Sequence, residues 1–175
     1  MTRTLIVVVA LIAVLITTVT YVYVTTTGLT SQPDPGQFET VVARRLRALA
    51  VPRAIRDMPN PVPASAEATA RGMGHFAQYC ALCHGNDGSG TGTAFGRGFY
   101  PKAPDMRQTA TQALTDGELF YIIENGVRFT GMPAFGSGTA DPKGETLAWQ
   151  LVHFIRRLPN LTADEVAEMT ALNPL

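Results

Sequence analysis

The sequence predicts an all-α protein, one membrane-spanning helix followed by a small helical domain. Three observations predict it. Leu5–Val24 is a run of 20 residues without a charge. Beyond it, apolar residues recur at helical spacing behind side chains that cap helices, and no stretch alternates as a strand does. The two cysteines of the 175-residue chain stand together in Cys80-Ala81-Leu82-Cys83-His84, which reads as an attachment site rather than a disulfide framework.

At about 1.5 Å per residue the Leu5–Val24 run covers about 30 Å, the hydrocarbon thickness of a bilayer. A cleaved signal peptide has a shorter apolar core, roughly 7–15 residues, followed by a small-x-small site. Thr25-Thr26-Thr27-Gly28 is a poor site of that kind, so residues 1–24 read as a retained anchor. Arg3 and the N-terminal amine favour a cytoplasmic N-terminal tail, whereas Arg44, Arg45, Arg47, Arg53 and Arg56 oppose that from a distance at which the bias fades. Tyr21 and Tyr23 suit the outer interface, where polar-tipped rings are favoured. Formal charge is zero overall, but residues 65–175 carry eight basic against eleven acidic side chains. No basic tract suggests nucleic acid.

Residues 25–64 read as a tether carrying one short helix. Thr25–Gln37 is rich in Thr, Ser, Pro and Gly. Phe38–Leu49 has apolar residues at 38, 41, 42, 46 and 49, with arginines elsewhere on the wheel. Such a helix docks on protein or lies on anionic lipid, and the narrowness of its stripe favours protein. Pro52 interrupts it, and Met58–Pro63 marks a domain boundary.

The domain proper is expected over 65–161. Ser65 caps a helix over Ala66–Cys80, in which Gly72, Phe76 and Tyr79 share a face. A glycine there costs about 1 kcal/mol relative to alanine, which a close helix crossing would offset. Gly85–Arg107 holds six glycines and two prolines and follows no period. A loop of that length needs a surface to pack on. Thr115-Asp116-Gly117-Glu118 opens a second helix, Gly117–Asn125, with a capping box, and Gly126 ends it. After Gly131-Met132-Pro133 and a Gly/Asp/Pro loop over 136–144, a third helix spans Glu145–Leu158. It carries Leu147, Trp149, Leu151, Phe154, Ile155 and Leu158, and Pro159 stops it. Residues 162–175 form an acidic C-terminal extension with a short helix over Thr162–Ala171.

The cysteine pentapeptide has a chemical reason for its spacing. Two thiols three positions apart can each add to a vinyl group of one porphyrin, and the next residue turns an imidazole to the iron. Cys80, Cys83 and His84 therefore read as the attachment site of one c-type haem, with His84 as proximal ligand. A thioredoxin-like pair would open a helix in a βαβ setting, a structural zinc site needs four ligands, and a disulfide here would close a strained ring. A haem also supplies the surface the glycine-rich loop needs, with Phe95, Phe99 and Tyr100 placed to lie along it.

Met132 is the best candidate for the second axial ligand. It lies 48 residues beyond His84, flanked by a glycine that permits close approach and a proline that stiffens the turn. A thioether stabilises ferrous iron, which suits an electron carrier. Met73 and His75 precede Cys80 too closely, and His153 reads as a surface or packing residue. Met106 lacks the flanking pattern, and Met58 and Met169 fall outside the expected core.

Taken together, Cys80–His84, Gly85–Gly92, Tyr100–Asp105, Leu114–Phe135 and the Trp149–Leu158 helix make the chain resemble a class I c-type cytochrome, specifically the membrane-anchored bacterial monohaem domains of respiratory or photosynthetic electron-transfer complexes. The resemblance covers about 66–160. It implies a class I fold whose first and last helices cross beside the haem, with Gly72 and Phe76 meeting Phe154. It also implies that a proline carbonyl, of Pro101 or Pro104, accepts the His84 Nδ1 proton. Haem attachment in such proteins takes place outside the cytoplasmic membrane, which places the domain on the periplasmic face. The function implied is one-electron transfer rather than enzymatic catalysis, between partners such as a quinol-oxidising complex and a terminal oxidase or photosynthetic reaction centre. The alternatives are a permanent haem subunit of one oxidoreductase complex, and a haem sensor or enzyme with a labile sixth ligand.

Overall fold

The structure, a computed structural model, describes residues 2–136 and 146–173. Glu145 and, beyond Gly136, the loop expected over 136–144 lie outside the described residues. Every regular element among the described residues is helical. Contacts divide the chain into two compact units, Met1–Pro33 and Asp34–Leu175.

The first unit holds α1, Thr2–Thr27, a 26-residue helix with no buried side chain. Its mean hydropathy reaches 2.8, so it is long and apolar enough to cross a membrane. Its threonines do not break it. Thr17, Thr25, Thr26 and Thr27 each donate a hydroxyl to a carbonyl one turn back, at 2.6–2.9 Å, which meets their hydrogen-bonding need inside the helix itself.

The second unit begins with α2 (Gln37–Ala50) and α3 (Arg53–Arg56). The sequence placed the domain start at Ser65; the structure packs chain from Asp34 onward into the same unit. Val51 is buried, Thr115 Oγ1 donates to the Arg56 carbonyl at 2.7 Å, and Asn60 Nδ2 donates to the Trp149 carbonyl at 3.0 Å. The two hydrogen bonds run from single side chains to distant backbone carbonyls, which leave no periodic trace in sequence.

The core is a helix crossing. Ser65 caps α4 (Ala66–His75) through its side chain, 3.0 Å from the Ala68 amide. The last major helix, α9, spans Thr146–Arg157 and makes with α4 the most extensive helix pair of the fold. Gly72 is the reason they can approach. A Cβ there would sit 2.1 Å from the Gln150 carbonyl oxygen and 3.0 Å from Phe154 Cβ. Phe76 and Phe154 meet at 5.2 Å between ring centroids, tilted by 57°.

Among the described residues between them in sequence are α5 (Ala81–His84), α6 (Ala94–Gly98), α7 (Thr109–Gln112) and α8 (Asp116–Asn125). The capping box expected at Thr115 and Glu118 is formed in both directions, and Gly126 ends α8 at φ 65°. Phe120 of α8 stacks on Trp149 of α9, with ring centroids 4.1 Å apart and planes nearly parallel. Arg156 joins the same helices, 2.8 Å from Asp116.

A 3-10 turn at Leu158–Asn160 leads to α10 (Ala163–Leu172). This helix packs back, and Met169 is fully buried, contrary to its expected place outside the core. Two polar ties explain the return: Arg157 to Glu165 at 3.0 Å and Asn86 Nδ2 to the Asn173 carbonyl at 2.9 Å.

Candidate haem site

The helix expected over Ala66–Cys80 changes pitch before the cysteines. Phe76–Cys80 is a π-helical turn, and α5 carries the chain on to His84. Such wide turns recur at functional sites. The sequence offers no signal for this one, because it is a packing solution around Phe76 and Ala77, both buried.

The turn leaves Cys80 and Cys83 half-buried, both free, and His84 buried. Burial, with Cys83 nearby, pushes the Cys80 thiol up to about 12, and burial raises Cys83 too. Both are protonated thiols at neutral pH. Burial also lowers His84, opposed by the Pro104 carbonyl, which favours the neutral ring that metals bind. His84 Nδ1 is buried without a hydrogen-bond partner, and the Pro104 carbonyl is the backbone group that acts on the imidazole. Of the two prolines the sequence left open, Pro104 is therefore the one that faces the imidazole.

The glycine-rich stretch that follows is tied at both ends. Arg107 bridges Asp87 and Asp105, at 2.8 Å each, and its hydrogen bonds hold the Asp105 carboxyl down at about 2. Thr93 caps α6 and donates to the Cys83 carbonyl at 3.3 Å. Gly90 N donates to the His84 carbonyl at 2.7 Å, and Met106 N to the Gly88 carbonyl at 2.9 Å. Met106 itself is in the core.

Met132 lies on a loop folded back over the end of α8. Phe135 N and Gly136 N donate to the Ile123 and Glu124 carbonyls, both at 3.0 Å, and Val127 N to the Met132 carbonyl at 3.1 Å. Thr130 Oγ1 accepts from Met132 N at 3.1 Å. The backbone is thus held while the side chain stays half-buried.

Two contacts bring this loop to the cysteine segment. Tyr79, next to Cys80, meets Phe135 at 6.3 Å between rings. Phe99 lies so close to Gly131 that a Cβ there would be 2.5 Å from its ring. One loop, 99–104, therefore touches the Met132 segment at Phe99 and faces His84 at Pro104. On the cysteine segment, α6 and the Met132 loop, Tyr79, Leu82, Phe95, Phe129 and Phe135 are exposed, from 41 to 93 %, a large amount of apolar surface for a small domain. Of the rings expected to flank a haem, Tyr100 donates its hydroxyl to Glu39 at 2.5 Å.

The competing residues are occupied or remote. His153 Nε2 is 2.8 Å from the Val62 carbonyl, a packing role. His75 stacks on Tyr79, and Met73 is in the core. Among the described residues no group of three or more His, Cys, Asp or Glu side chains could hold a metal ion.

Residues 67–155 match the family described as cytochrome c oxidase, cbb3-type, subunit III. The chain belongs to this c-type cytochrome family. The class I reading and the all-helical fold follow from that match and the helices above, and the family implies haem c and electron transfer. No curated protein matches the chain at a significant level. The donor set of the cytochrome domain fits such a group: two unpaired thiols, a buried imidazole with an orphaned Nδ1, and an apolar, partly open surface between them and Met132.

Proposed function

We propose that this cytochrome is a membrane-anchored one-electron carrier holding a single haem c. Cys80 and Cys83 form its two thioether bonds, and His84 and Met132 are its axial ligands. The observation that carries the reading is the placement of the 99–104 loop, touching the Met132 segment at one end and facing His84 at the other. Bound there, a haem supplies a reversible ferrous–ferric couple. The chain's part is to orient the imidazole, through the Pro104 carbonyl acting on Nδ1. It also presents a thioether from a backbone-pinned loop and keeps a mostly apolar wall around both.

The anchor is α1, with the cytochrome domain on the periplasmic face of a bacterial inner membrane. Redox partners are the membrane complexes that reduce and oxidise such carriers: a quinol-oxidising complex on one side, a terminal oxidase or reaction centre on the other. Anchoring raises the effective concentration of one for the other.

An absorbance spectrum tests the ligand set. The ferric protein is expected to show the weak long-wavelength charge-transfer band of Met-ligated haem, kept in His75→Ala and lost in Met132→Ala. Ready binding of carbon monoxide to the reduced protein with Met132 intact would instead favour a sensor or enzyme.

A second reading, a permanent subunit of one oxidase, is favoured by the family itself, which is described as an oxidase subunit. Gentle solubilisation separates the two. Co-elution with one complex at fixed ratio supports the subunit, and elution of the haem protein alone supports the shuttle.

A further inference from the structure

Helix α2 is turned inside out. Its partly buried positions are Thr40, Arg47 and Ala48. The opposite side carries Phe38, Val42, Leu46 and Leu49, and Phe38, Leu46 and Leu49 are 83, 62 and 81 % exposed. A helix packed on its own domain does the reverse. The orientation is held by polar ties at either end. Glu39 accepts from Tyr100 at 2.5 Å, the neighbouring Asp34 pairs with Lys102 at 2.9 Å, and Arg56 donates to the Ala48 carbonyl.

We propose that α2 is an interfacial membrane helix, its outward apolar stripe lying among the headgroups of the bilayer that α1 anchors. The proposal rests on α1 being retained as an anchor. Two features point to lipid rather than a protein groove.

The first is covalent reach. Only residues 28–36 separate α1 from α2, and nine residues span at most about 30 Å. A helix leashed that closely to a membrane-spanning segment meets the bilayer surface before any other apolar phase.

The second is Arg45. It stands in the row Val41–Arg45–Leu49, one helical turn from each, and all three are exposed. A protein groove burying that stripe would have to bury the guanidinium and supply it with a partner. At a bilayer surface its apolar stem follows the stripe while the head reaches a lipid phosphate. Arg44, also exposed, adds to the attraction for anionic lipid. Because the ties run from Asp34 and Glu39 to the 99–104 loop, seating α2 on the membrane also sets the tilt of the cytochrome domain.

The test uses the full-length haem-loaded protein, in which Cys80 and Cys83 are consumed as thioethers. A nitroxide is placed at Leu46→Cys, or at Gln78→Cys as an exposed control, and the protein is reconstituted in phosphatidylcholine vesicles with or without phosphatidylglycerol. Expected is a several-fold higher ratio of oxygen to nickel-chelate accessibility at 46 than at 78, increased by phosphatidylglycerol. Arg44→Gln with Arg45→Gln should remove that lipid dependence.

Equal, nickel-accessible signals at both positions in vesicles that float with the protein would overturn the proposal and leave the anchor standing. Shielding of 46 from both relaxants with spin–spin broadening would overturn it in favour of a second copy. Protein that fails to float would remove the anchor and this proposal together.

Discussion

Helices α2 and α9 have nearly the same pattern, a stripe of apolar residues with arginines beside it, and opposite fates. α9 buries Ala148, Trp149, Gln150, Leu151, Val152, Phe154 and Ile155; α2 buries nothing. Amphipathic periodicity says that a segment is a helix with two faces. It does not say which face meets the protein, because that depends on what the rest of the chain leaves uncovered.

Truncating a face that is buried is the strongest way to sharpen this contrast. Trp149→Ala removes a fully buried ring stacked on Phe120 and is expected to cost about 3–5 kcal/mol in denaturant unfolding. Gly72→Ala puts a methyl against the Gln150 carbonyl, a backbone atom that cannot swing away. About 1–3 kcal/mol is expected, and no change would mean that α4 and α9 cross less closely than described. Thr115→Ala breaks the α8 capping box and the bond to Arg56, costing about 1 kcal/mol.

Acid separates the regions by charge. Asp105 and Glu165, held near 2 by Arg107 and Arg157, lie below their ordinary 3.8 and 4.5. Their contribution to stability is complete above about pH 4.5 and fades as the pH falls toward 2. Both pairs are partly exposed, so the effect is small. Asp105→Asn and Glu165→Gln should flatten the pH dependence of the unfolding midpoint over that range and leave it unchanged near neutrality. The smallest effect belongs to α2: Leu46→Ala, measured in detergent, is expected within about 0.5 kcal/mol of the parent. A loss above about 1 kcal/mol would break the comparison by showing that the stripe packs on protein after all.

Much of the domain was legible in sequence because its signals are local or chemically singular. Ser65, Thr115 and Thr162 cap their helices as their types and offsets indicate. Gly72 forecast a close crossing because an interior glycine needs a compensating contact. The cysteine pair stood out by its spacing from His84, and Met132 by its glycine and proline neighbours. What stayed hidden was non-local. The π turn before Cys80 has no periodic signature. Residues 51–63 looked like a linker, since prolines and an asparagine satisfying distant backbone groups carry no pattern. Met169 looked peripheral because the ties that bring α10 home run from Glu165 and Asn173, one turn to either side of it, to Arg157 and to Asn86, and the second of these joins residues distant in sequence.

By itself the sequence determined that the chain is helical, that α1 is apolar along its length, and that two thiols and an imidazole stand at the spacing a haem requires. Those are properties of side-chain type and interval, and they survive any arrangement of the rest. Only the tertiary structure decided that Pro104 rather than Pro101 faces His84, that one loop touches both the imidazole side and the Met132 side, and that α2 turns its apolar stripe outward. These depend on which distant backbone groups meet, and a carbonyl, unlike a side chain, looks the same at every position in the sequence.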